Sequence, residues 1–150
     1  MDSSFLDNVT DHLTSLIQHR ETFQTSYDPR AVDFLDGLPG LFHLFHRLTF
    51  DLDLAPELRR MAASIAIYIA EPNDYCGEFS LGAEGLIDDL WLAYTGIHQL
   101  AKVVPVSFLQ RHWRSEVDLS KVIELGNDIQ SLEQHLPSRV VGKLKAFIEP

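Results

Sequence analysis

Residues 68–94 read YIAEPNDYCGEFSLGAEGLIDDLWLAY. The stretch opens on the tail of one helical apolar pattern, crosses an acidic, turn-rich element, and closes on the head of another. Two helices joined this way fold back on each other, and that reading decides the fold class. Upstream, Pro56 opens a helix to about Ala70, since proline at the first helical position loses no bond. That helix places Leu58, Met61, Ala62, Ile65 and Ile69 at three- and four-residue spacing. Downstream, residues from about 83 to 103 carry Leu86, Leu90, Ala93, Ile97, Leu100 and Ala101 as one stripe, and Pro105 ends it.

Working outward, Phe5, Leu6, Val9, Leu13, Leu16 and Ile17 predict a first amphipathic helix to about Phe23. Tyr27-Asp28-Pro29 breaks it, and Asp28 before Pro29 starts a second helix bearing Val32, Phe34 and Leu35. Gly37-Leu38-Pro39-Gly40 interrupts that helix, and a helical pattern resumes from Leu41 to Phe50. Asp51 to Ala55 is a link. Val106 to Trp113 is a short helix, and Ser115 or Asp118 caps the next, whose stripe is Val122, Leu125, Ile129 and Leu132. Pro137 breaks that helix, and Val140, Val141, Leu144, Phe147 and Ile148 close the chain. No segment alternates over strand length, and no repeat or linker is visible. The expectation is all-α: an irregular bundle of about six to eight helices with a central helical hairpin, as one domain over residues 1–150.

With 150 residues, 45% hydrophobic and 23% charged, the chain is long and apolar enough for one buried core. Its net charge of −10 repels phosphate backbones, so nucleic acid is not an expected partner. Cys76 is the single cysteine, which excludes an internal disulfide and a zinc-binding thiolate cluster. The start MDSSFLDNVTDHL has no basic region before an apolar run, so it is no secretory signal. The longest apolar run, from Ala62 to Ala70, is about half what a membrane span needs. A cytoplasmic location is the expectation.

The spacing of Tyr68, Pro72, Asp74, Glu78, Phe79, Gly85, Asp88 and Asp89 resembles the core of the YkvA-like family of bacterial proteins. The family pattern runs tyrosine, a few apolar residues, then P-x-D-x-I-P-D-F, then a glycine and a D-D pair. Glu78 stands where the family has aspartate, and the likeness covers roughly residues 58–100. It implies a structural motif of Pro72, Asp74, Glu78, Phe79, Gly85, Asp88 and Asp89, and it transfers no catalytic residues. The family's greasy hairpin implies membrane association. Here the turn is polar, so a peripheral membrane role is the weakest of the alternatives, and a membrane partner is not expected.

Asp74, Glu78, Asp88 and Asp89 lie within sixteen residues. Hard cations want several oxygen ligands, and His43 with His46 could complete a mixed set. A bound divalent metal would then support a metal-dependent hydrolase. The structural alternative asks less. Asp74 suits an Asx turn, and Glu78 suits a helix start. Asp88 and Asp89 point about 100° apart and cannot share one contact. Asp89 lies nearer the apolar stripe, and Asp88 turns towards solvent or a neighbour. The histidine pair lacks the glutamate and the i, i+4 spacing of a zinc protease helix. Cys76 has acidic sequence neighbours and reads as a packing residue. The helix around Phe42 and Phe45 is apolar almost all round, so it is either core or an interface. Trp91 and Trp113 pose the same choice, which makes Phe42, Phe45, Trp91 and Trp113 a candidate partner surface. The first expectation is therefore a small cytoplasmic interaction module, adaptor or regulatory, without catalysis or cofactor, meeting a protein partner or itself.

Overall fold

The structure is a computed structural model that describes residues 3–18, 33–70 and 87–148. Among the described residues there are eight α-helices and no strand, an irregular all-α bundle as the periodicity predicts. In chain order they are α1 (Ser3–Gln18), α2 (Leu38–Leu48), α3 (Pro56–Ala70), α4 (Ile87–Val103), α5 (Val106–His112), α6 (Leu119–Leu125), α7 (Gln130–Glu133) and α8 (Ser138–Lys145). A short 3-10 turn at Leu35–Gly37 leads into α2, and another at Gly126–Asp128 lies between α6 and α7.

The central pair is α3 and α4. Tyr68, near the end of α3, bonds to Asp88 at the start of α4. Ile65, a turn earlier, packs against Gly96, two turns later. Contacts that run backward on one helix as they run forward on the other define an antiparallel hairpin. The residues of α4 from Ile87 to Tyr94 are all buried, so this helix is covered all round rather than on one stripe. Helices α2, α3, α6, α7 and α8 supply the cover.

Helix α2 departs from the sequence expectation. Gly37-Leu38-Pro39-Gly40 does not interrupt a helix; Leu38 begins one, with Pro39 in its first turn where a missing N–H costs nothing. Both glycines serve close packing. A Cβ on Gly37 would run into the Tyr94 hydroxyl, and one on Gly40 would stand 2.7 Å from the Trp113 ring. Tyr94 uses the space to donate from its hydroxyl to the Phe34 carbonyl over 2.8 Å, with the two rings edge to face at 4.8 Å. Burial drives the Tyr94 phenol far above its ordinary pKa, with Asp36 and Asp33 adding to the shift, so it stays protonated and keeps donating.

The stripe Val122–Leu125–Ile129–Leu132 spans two helices, not one. Gly126 lies against the Tyr94 carbonyl and the His98 Cβ, and the chain tightens to a 3-10 turn there. Asp118 is the cap of α6, accepting from the Ser120 N–H over 3.0 Å. Ser115 instead accepts from the Val117 N–H.

Candidate functional site

Of the acidic element, Pro72, Asp74, Glu78, Phe79, Gly85 and Cys76 lie outside the described residues. Asp88 and Asp89 are placed, and both are fully buried. The Tyr68 hydroxyl donates to Asp88 Oδ2 over 2.6 Å, while the Tyr68 ring packs edge to face on Phe147 at 5.3 Å. Asp88 thus turns to a neighbour, not to solvent. A carboxylate taken out of water is costly unless hydrogen bonds compensate, and a phenol is a strong donor for it. The pair ties the end of α3 to the start of α4.

His43 and His46 do not join these acids. Among the described residues, no three His, Cys, Asp or Glu side chains gather closely enough to hold a metal ion. The two histidines line a cleft of about 640 Å³ at the end of α2, together with Arg47 and Phe50. Asp51, His112 and Arg114 complete its wall. Three parts of the chain build it: the last turns of α2, the turn after it, and the α5 terminus.

Each wall residue is held by its own local chemistry. His43 Nε2 lies 2.9 Å from Thr10 Oγ1, which fixes the ring against α1. His46 stacks edge to face on Phe50 at 5.4 Å. Burial lowers the pKa of both imidazoles; Arg47 pushes the same way, and Asp7 opposes it at His43. Asp51 accepts the Asp53 N–H on Oδ1 over 2.8 Å, and its Oδ2 lies 2.6 Å from His112 Nε2. The Asp53 N–H and then His112 hold the Asp51 carboxyl below the usual carboxylate range. The ionised acid therefore accepts a hydrogen bond from His112 Nε2–H. Arg114 Nη1 donates to the Arg111 and Trp113 carbonyls, which anchors its guanidinium on the end of α5.

The aromatic candidates are corrected by this structure. Phe42, Phe45, Trp91 and Trp113 are all buried and belong to the core. Trp113 also donates its indole N–H to the Val117 carbonyl over 2.7 Å, leaving no polar edge for a partner. The large apolar side chains that do face solvent include Phe50, 60% exposed, and Leu52, 82% exposed. Of this corner the sequence singles out His43 and His46, as metal candidates, and not Leu52, Asp51 or the arginines. One signal was available: His43, His46 and Arg47 stand at i, i+3 and i+4 and so share a helix face. His112 and Arg114 carried no such signal, because only the fold brings them there.

No helix among the described residues is long and apolar enough to cross a membrane. No family model, curated protein or solved structure matches the chain.

Proposed function

We propose that this chain is a binding module, with no catalytic step of its own, that meets a protein partner through the corner at Phe50 and Leu52. The observation that carries the reading is the exposure of those two side chains, two positions apart on one turn, at 60% and 82%. Covering a large apolar side chain yields about 1.5–3 kcal/mol. The turn is pinned by Asp51, through the Asp53 N–H and His112, so docking orders little further chain. Single exposed apolar residues are ordinary on any protein; two on a braced turn beside a cleft make a compact anchor.

The likeness of residues 58–100 to the YkvA-like hairpin belongs to the same proposal. Its support is that Tyr68 and Asp88, two positions of that pattern, are bonded to each other across the helix pair.

The test compares the wild-type chain with Leu52→Asp by sedimentation and by affinity capture, with circular dichroism as the control for folding. The proposal expects a complex, with a partner or with a second copy, whose affinity falls at least about tenfold in the variant, or about 1.4 kcal/mol. A strictly monomeric chain that retains nothing overturns it, as does equal capture by Leu52→Asp.

A further inference from the structure

The cleft beside that corner has a chemistry of its own. Its formal charges are Arg47, Arg114 and Asp51, and Asp51 is already engaged by His112. Among the described residues, two guanidinium groups are thus left without a carboxylate partner in the cleft, on a chain whose net charge is −10. Arg47 Nε is buried and has no hydrogen-bond partner. His46 Nε2 and His112 Nδ1 are likewise buried and unpartnered. Buried polar nitrogens usually find partners, and leaving one unmet costs about 1–3 kcal/mol. Three of them lie on the walls of one cleft.

Arg47 does have a structural use, since a cation in the last turn of α2 suits the helix dipole. That accounts for its charge but not for its unmet Nε. Nor does it account for Arg114, which hangs from backbone carbonyls by Nη1 while its exposed remaining donors are open to a ligand. Guanidinium groups match oxyanions in geometry as well as charge. The cleft volume of about 640 Å³ falls within the range of small-molecule sites. Phe50 gives it an apolar wall next to the cationic one.

We propose that this cleft binds a small organic anion, a carboxylate or phosphate head held by Arg47 and Arg114 with an apolar body laid on Phe50. The overall negative charge favours a small ligand over an acidic macromolecule. Fields from exposed acids fade over about 8 Å at physiological salt, so a compact anion feels the nearby arginines, whereas an extended acidic chain meets the repulsive surface beyond them. The site shares Phe50 with the docking corner, but Leu52 is not part of its wall, so the two can be tested separately.

The test titrates the full chain with phenyl phosphate and with phenylacetate, followed by calorimetry and by NMR shifts of the cleft residues. Benzylamine and benzyl alcohol are the cationic and neutral controls. At least one of the two anions is expected to bind with shifts at His46, Phe50 and His112, and whichever binds more tightly identifies the head group. Arg114→Gln, at an exposed position, is expected to weaken it about tenfold, and Arg47→Gln by at least as much. Leu52→Ser, which removes the docking side chain without adding a charge beside Asp51, is expected to lose partner docking and to bind the anion as the wild type does, so the two losses are separable. The proposal is overturned if neither anion binds, if benzylamine or benzyl alcohol binds equally well, or if Arg114→Gln leaves the affinity unchanged. Arg47→Lys, which keeps the charge and loses the fork, is expected to fall between wild type and Arg47→Gln.

Discussion

At the scale of single residues, Tyr68 and Asp88 show what a spacing pattern can and cannot reveal. The sequence places two acids in the first turn of a helix, and their side-chain directions follow from helix geometry alone. What they meet does not, because the partner is twenty positions away on the antiparallel neighbour. The 2.6 Å bond in a fully buried setting makes the hydroxyl valuable. Tyr68→Phe keeps the ring on Phe147 and removes only that donor. An intramolecular hydrogen bond contributes about 0.5–1.5 kcal/mol net, and the loss should appear as a lower urea midpoint at unchanged slope. A variant as stable as the wild type would mean that Asp88 is satisfied without this bond and that the helix ends are tied elsewhere.

Among the elements, α3 is the most legible: Pro56 opens it and the stripe from Leu58 to Ile69 faces the core, as the spacing predicts. Helix α2 was less so, because Gly-Leu-Pro-Gly is read locally as a breaker, while the helix begins inside it to meet Tyr94 and Trp113. The partner aromatics failed for a related reason. A helix apolar on every side is equally consistent with burial and with an interface, and only the packing of α2 among α1, α3, α4 and α5 settles it. Gly96 marks the point where three helices converge. A Cβ there would stand 2.5 Å from Ile65 Cδ1 on α3 and 3.1 Å from Phe45 Cζ on α2. Alanine in a helix interior gains about 1 kcal/mol over glycine, whereas overpacking costs about 1–3 kcal/mol. The Ile65 side-chain end would have to shift, and both Ile65 and Phe45 are fully buried, so the expectation is that overpacking wins and Gly96→Ala destabilises by about 1 kcal/mol. Ile65→Val deletes the offending methyl. In the wild type that change costs about 0.5–1.5 kcal/mol. In the Gly96→Ala background it should cost less or be favourable, and strictly additive free energies in the double-mutant cycle would refute the crowding account.

For the molecule as a whole, charge sets two opposing pH responses. The chain carries 22 acidic against 12 basic residues, so acidification relieves self-repulsion and favours the compact state. His43 and His46 respond the other way. Their folded pKa values lie below the ordinary 6.5, so between the two values the unfolded chain binds more protons. Stability from these imidazoles is thus complete above about pH 6.5 and is lost as pH falls towards their folded values. Asp51 follows the carboxylate rule: its folded pKa lies below 3.8, so its contribution holds above that value and is lost only in stronger acid. Salt separates the two responses, because it screens surface repulsion and leaves desolvation of the imidazoles largely intact. In concentrated salt the melting temperature should fall from pH 7.5 to pH 5.5. His46→Gln should flatten that fall without removing it, since His43, faced by Asp7 and Arg47, still titrates. A melting temperature that rises over this interval in high salt, or a His46→Gln profile parallel to the wild type, would show that the α2 imidazoles gain their proton at no cost to the fold. The cleft they line would then be open enough to water that burial does not hold either ring below its ordinary pKa.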